Sequence, residues 1–210
     1  DELMPLKRKC EVEMRFNFTL EADNKTLNEF YLVLENPENY SIEMNAEPVI
    51  YKDKGWWRDM CFKKVNIRPY VRKGSNTIIL KYDFKQPPEA YKEYERPYYF
   101  QELHNDTEPE SIYLLGDFSV FSKAGYTYGD NNSVLTDGPF VIRDAARSVK
   151  SGDLTEQGFC FFSGSITLSQ IINIKKNPGE RIIWKIKNQH APISKVYMNG
   201  RLVESLAWAP

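Results

Sequence analysis

Histidine is nearly missing from this chain, which holds 2 in 210 residues, His104 and His190. A catalytic zinc centre usually draws on more imidazoles than that, so such chemistry has little to work with. The 3 cysteines, Cys10, Cys61 and Cys160, are too scattered for a disulfide framework or a zinc pattern. They read as reduced, buried small hydrophobes. Positive charge is not in excess either: 28 Lys and Arg face 29 Asp and Glu, a formal net charge of −1. A surface that neutralises phosphates is therefore not expected, and no nucleic acid partner. No apolar run approaches the roughly 18 residues of a membrane-spanning helix, so no membrane span is expected. There is no Gly-x-Ser-x-Gly elbow, no phosphate loop and no dinucleotide fingerprint. Over the first 84 residues no amphipathic helix of useful length is expected either. No signal peptide opens the sequence and residue 1 is Asp, which reads as a mature, processed or excised piece.

What the chain does have is alternation with a period of two, and it has it twice. Val12, Met14, Phe16, Phe18 and Leu20 alternate with polar residues, as do Ile166, Leu168, Ile172 and Ile174. That period places one face of a strand on a core and the other toward water. Each run is followed by a similar block. Residues 30–45 comprise an apolar strand from Phe30, Asn36, a corner with Pro37, and a short strand ending at Met44 and Asn45. Residues 182–200 repeat this with Ile182, Asn188, Pro192, Met198, Asn199 and Gly200. Self-similarity of this length argues for two copies of one β-sandwich module.

The expected organisation is a first module over residues 1–85, a connector over 86–110 and a second module over 111–210. In the first, strands are expected near 11–21, 29–35, 40–44, 49–51, 62–67 and 77–84. Gly74 in the turn 72–76 suits a positive φ. The connector begins with a short helix over 87–96. Its aromatics, Tyr91, Tyr94, Tyr98, Tyr99 and Phe100, read as glue between modules. The second module expects strands at 111–120, 138–142 and 160–168 before the repeated block, with Gly116 a bulge or close-approach point. It lacks counterparts of the strands at 62–67 and 77–84, and the first module has no counterpart of 111–120. Open edges would result. Either the chain is cut from a longer protein, or the halves complete each other, or another chain supplies strands.

Several short motifs carry a resemblance. They are Met198-Asn199-Gly200 with its counterpart Met44-Asn45-Ala46, the tryptophan that follows, and the turn and strand from Lys73 to Ile78. Together they resemble the galactose-binding-like jelly roll, as in the sugar-binding domain of family 2 glycoside hydrolases and in α-L-rhamnosidase-like proteins. The segment from Gly152 to Gly164 resembles the lead-in to that domain's first long strand. Ala46, where the pattern has Gly, is a departure. The fold so implied is all-β, two tandem jelly-roll-like β-sandwiches with the second lacking its C-terminal strands. The function implied is that of a non-catalytic accessory region of a larger, secreted or periplasmic glycan-degrading enzyme. It would pack on a catalytic domain of the same parent chain and bind carbohydrate weakly. The alternative is a free-standing module that binds carbohydrate or protein. A catalytic barrel pattern is absent, so no catalytic residue carries over.

Candidate sites follow from residue chemistry. Trp56 and Trp57 offer rings on which a sugar's C–H face stacks, with Arg58 and Asp59 placed to bind hydroxyls. Adjacent strand residues face opposite ways, so at most one of the pair belongs to a core. Trp208 in the second block reads as core or interface. Glu102, Asp106, Glu108 and Glu110 would suit a glycosidase only as a pair across a cleft, and in one polar loop they read as solvated. Asp117, Asp130, Asp137 and Asp153 are the candidates for a structural calcium, without the spacing of a dedicated loop. No other cofactor is expected. Asn-x-Ser/Thr sequons occur at Asn17, Asn24, Asn39, Asn105 and Asn131.

Overall fold

The computed structural model describes residues 10–23, 27–84, 111–130, 133–162, 164–186 and 191–207. The chain divides into two compact units, Asp1–Gly164 and Ser165–Pro210. Among the described residues the regular elements are strands and three-residue 3-10 turns, so the protein is all-β.

In the first unit the strands are β1 (Cys10–Leu20), β2 (Phe30–Glu35), β3 (Ser41–Met44), β4 (Glu47–Val49), β5 (Trp56–Trp57), β6 (Asp59–Asn66) and β7 (Gly74–Phe84). They continue with β8 (Tyr113–Gly116), β9 (Phe118–Ser122), β10 (Thr127–Tyr128), β11 (Val134–Leu135) and β12 (Phe140–Asp144). A six-stranded sheet runs β4-β3-β7-β1-β12-β9, and a four-stranded sheet runs β5-β6-β2-β8. One cluster of buried side chains draws on both, including Leu20, Ile42, Met44, Ile78 and Leu80 from the larger sheet and Phe30, Leu32, Leu34 and Val65 from the smaller. Two sheets sharing one core make a β-sandwich.

Strand β7 shows why these residues form this layer. Asn76, Ile78, Leu80, Tyr82 and Phe84 are buried while Lys81 and Asp83 between them face outward. Each fully buried side chain of Leu or Ile size contributes roughly 1.5–3 kcal/mol relative to exposure. β7 is paired on both sides, to β1 over the full length from Cys10↔Phe84 to Leu20↔Gly74 and to β3 over Ser41–Met44. Its opening turn places Gly74 at φ 95°.

Residues 111–162, expected to open a second module, are distributed over both sheets of this first unit. β8 adds to the edge of β2, β12 runs parallel to β1, and β9 pairs with β12. Of the three ways to fill the open edges, the one observed within this unit is that the two sides of the connector complete each other. Gly116 is the close-approach point: a Cβ there would lie 2.6 Å from the Glu29 carbonyl oxygen. The segment thought to lead into a long strand forms a 3-10 turn, Thr155–Gln157, and a single parallel bridge from Phe159 to Val120.

The second unit holds one two-stranded sheet, β13 (Ile193–Met198) with β14 (Arg201–Ala207). Residues 165–186 carry no strand, although their alternation promised two. Phe30 and Ile182, which open the two similar blocks, are 0% and 51% exposed. Apolar alternation makes a strand only where a neighbour completes the ladder, and here none does among the described residues. The connector's helix and aromatic cluster fall outside the described residues, as do the acids at 102–110, both histidines and Trp208.

Candidate functional site

The edge strand β5 of the four-stranded sheet carries the sequence's paired tryptophans. Asp53 accepts a hydrogen bond from the Gly55 N–H at 2.7 Å, and the Gly55 carbonyl accepts from the Lys64 N–H at 2.9 Å. This local turn delivers Trp56 and Trp57 onto the edge of β6. Trp56 lies in register with Lys63 and Trp57 with Asp59, with an irregularity between the two pairs. Arg58 is the residue left between Trp57 and Asp59, and it reverses the chain at φ 61°. A side chain in that left-handed region costs roughly 1–2 kcal/mol, which the surrounding ladder sustains.

Register fixes what shares this face. Val33 on β2 sits opposite Lys64 on β6 and Tyr113 on β8. Val33 points away from the sandwich core yet is 0% exposed. Large rings from both edges meet above this part of the sheet. The centroids of Trp57 and Tyr113 are 5.3 Å apart, and those of Phe62 and Tyr113 are 5.6 Å apart. Trp57 thus spends part of its surface on packing and is half-buried, while Trp56, turned the other way, is 55% exposed. The sequence rule that at most one of the pair is core holds.

Cations accompany the rings. The Arg58 guanidinium lies 4.8 Å from the Trp57 ring centroid and the Lys64 ammonium 5.1 Å from that of Tyr31. Such stacking is worth roughly 0.5–1 kcal/mol at exposed positions and holds the charge at ring height. Asp59 is committed elsewhere, accepting the Cys61 N–H at 3.0 Å. The hydrogen bond between the Cys61 thiol and Asp59, with that carboxylate's charge, pushes the thiol pKa up. Cys61 is exposed rather than buried, lying on β6 next to the sheet's last strand.

The structure therefore brings Trp57 and Arg58 onto a common face and turns Trp56 and Asp59 to other tasks. Sequence reading missed Phe62, Lys64, Tyr31 and Tyr113. Outward alternation at Phe62 and Lys64 was a usable signal. Tyr113 was assigned to another module, so its place across β2 could not be read.

A second candidate is a broad depression of about 540 Å³ lined by Tyr128, Ser148, Lys150, Asp153, Glu156 and Gln157 among others. Several of its polar groups are engaged with one another. The Tyr128 hydroxyl donates to Glu156 Oε1 at 2.8 Å, which pushes the tyrosine pKa up to about 12. Gln157 accepts the Lys150 N–H at 2.7 Å and donates to the Lys150 carbonyl at 3.1 Å. Asp153, one of the calcium candidates, accepts the Thr155 N–H at 2.8 Å. Among the described residues, no three carboxylate, histidine or cysteine side chains converge as a metal site would require.

No family model matches the chain, and neither a curated protein nor a solved structure matches it. The site's chemistry has to speak from its own residues.

Proposed function

We propose that the first unit is a carbohydrate-binding β-sandwich of the galactose-binding-like jelly-roll type. On this reading it is a non-catalytic accessory region that works beside a glycan-degrading catalytic domain of the same parent chain, in a secreted or periplasmic setting. The second unit would belong to a like module completed by further strands. The observation that carries the reading is the ring cluster of Trp57, Phe62 and Tyr113 on the outward face of the smaller sheet, with Arg58 and Lys64 beside it. Sugar C–H faces pack on aromatic rings, and adjacent cationic donors supply hydrogen bonds to hydroxyls.

A glycan array with the whole chain and with Trp56→Ala and Trp57→Ala tests this. Binding is expected to at least one glycan class and to fall by about tenfold or more in Trp57→Ala, the loss of one ring's contact. Binding that survives both substitutions removes the face from consideration. A second reading, a module that docks protein, is favoured by the second unit, where Ile171, Ile183 and Trp184 are exposed. Retention of a protein partner with no glycan bound by the array would favour it.

A further inference from the structure

Strand β1 lies inside the larger sheet, yet most of one of its edges is open. Its pairing with β7 runs the whole length of the strand without a register shift, while its pairing with β12 is confined to Thr19 and Leu20. Among the described residues no strand pairs with the β12 side of residues 10–18. Just past the strand the Glu21 N–H donates to the Ile142 carbonyl at 2.8 Å. Backbone groups along a strand point alternately to its two sides, so those of Glu11, Glu13, Arg15 and Asn17 point the same way as those of Glu21. They form an unpaired row of donors and acceptors, which is a template for another strand.

The side chains on this strand complement themselves. Glu11, Glu13, Arg15 and Asn17 are exposed on its outer face. On its inner face Phe16 is 40% exposed, although Ile78, opposite it on β7, is 2% exposed. A second β1 laid antiparallel about a two-fold axis through Met14 sets Glu13 opposite Arg15 of the partner subunit, and Arg15 opposite the partner's Glu13. The same register sets Val12 opposite the partner's Phe16 and Glu11 opposite its Asn17. Opposite charges directly across a ladder favour pairing and like charges oppose it. Moving the axis to Glu13 or to Arg15 puts like charges face to face, so Met14 is the centre that the charges select. The other charges on this outer face lie on the far side of β1. Lys81 on β7 is 3.6 Å from Glu13 and 3.5 Å from Glu43 on β3, and Asp83 is in register with Glu11. Arg15 Nη2 already donates to Glu13 Oε1 of its own strand at 3.0 Å. In the pair, the two arginines and two glutamates make one balanced cluster.

We propose that the open edge of β1 is a homodimer interface, where two copies of this chain join antiparallel over residues 11–17 and merge their six-stranded sheets. The Glu13–Arg15 pairs fix the register, and Val12 of each copy covers Phe16 of the other. Such a two-fold contact uses the same patch on both copies and closes on itself, so it ends at a dimer. A ladder this short makes a small interface, and the dimer is reversible, with a dissociation constant of about micromolar or weaker. The inference is independent of the glycan-binding reading and uses none of its residues.

Sedimentation velocity of the whole chain over a rising concentration series tests this, together with amide hydrogen exchange on the unmodified chain. The chain is expected to pass from monomer to dimer. As it does, the amides of Glu13 and Arg15 should gain protection, while those of Met14 and Phe16, which point to β7, should not change. Arg15→Glu gathers four carboxylates at the axis and should weaken the dimer by about tenfold or more. Glu13→Arg should do the same by gathering cations. The double variant Glu13→Arg with Arg15→Glu exchanges the two charges, keeps each opposite its complement, and should restore the dimer. A chain that stays monomeric throughout overturns the proposal. So does a dimer that forms without protecting Glu13 and Arg15, or one that Arg15→Glu leaves unchanged, because the contact then lies elsewhere. A double variant that dimerises no better than the single ones overturns the register. Protection of the Glu13 and Arg15 amides in the monomer at every concentration overturns the choice of occupant, since the chain then covers this edge itself.

Discussion

The chain makes the same turn twice and surrounds it differently each time. Met44-Asn45-Ala46-Glu47 joins β3 to β4, and Met198-Asn199-Gly200-Arg201 joins β13 to β14. Both central pairs lie in the left-handed region, Asn45 at φ 53° and Ala46 at 67°, Asn199 at 50° and Gly200 at 78°. Consecutive positive φ values give the two-residue hairpin whose twist suits antiparallel strands. There the likeness ends. The first hairpin is paired along β3 to β7 and buries Ile42, Met44 and Val49. The second pairs only with itself among the described residues, and Ile193, Tyr197, Leu202 and Val203 are exposed. Turn chemistry is local and survives transplantation; a core is a property of what the turn is set against.

The comparison is broken or sharpened most decisively by amide hydrogen exchange. Amides that bond β1 to β7 are expected to exchange only through global unfolding, with protection on the order of 5–15 kcal/mol. Those of β13 and β14 should exchange with little protection, because a lone hairpin is marginal in water. Equal protection in the two hairpins would mean that the second is as well supported as the first.

A smaller effect isolates the support itself. Asn45 donates from Nδ2 to the Tyr70 carbonyl at 2.8 Å and to Asn76 Oδ1 at 2.9 Å, and accepts the Thr77 N–H at 3.0 Å. Asn76 is fully buried and donates to the carbonyls of Arg72 at 2.6 Å and Gly74 at 3.0 Å. It also accepts the Arg72 N–H at 2.9 Å. Thus the turn at Asn45 is latched to the turn that starts β7. Asn76→Ala would strand several of these groups and is expected to lower unfolding stability by about 3 kcal/mol in urea denaturation. A loss below about 1 kcal/mol would show that water replaces the asparagine and that the latch contributes little.

Much of this was legible in the residues, and the illegible part has a physical cause. The run from Thr77 to Phe84 marked β7, and Gly74 was placed by its tolerance of positive φ. Those are local signals. The parallel pairing of Thr19 and Leu20 with Val141 and Ile142 is a contact across more than a hundred residues, and periodicity carries no information about partners. For the same reason Tyr113 was read into another module, and the ring cluster with Trp57 went unseen. Ile166 to Ile174 shows the converse failure. The pattern for a strand is there, and the chain leaves it without a ladder. The site was half legible: tryptophans at Trp56 and Trp57 announce themselves, but which one joins a surface depends on an irregularity between them.

The gentlest test uses the one difference between the two turns, alanine at position 46 against glycine at position 200. Alanine at φ 67° carries roughly 1–2 kcal/mol of strain, whereas glycine there carries none but loses more chain entropy on folding, about 0.5–1 kcal/mol. The balance favours glycine, so Ala46→Gly is expected to raise the stability of the first unit by about 0.5–1 kcal/mol. Because β3 is tied to β7, that gain should appear in the global unfolding transition. Gly200→Ala imposes the opposite change, and with no third strand among the described residues to couple it, its effect should be confined to faster exchange in β13 and β14. If Gly200→Ala instead shifts the main unfolding transition as much as Ala46→Gly does, the second hairpin is coupled to a cooperative core and the contrast between the two turns fails.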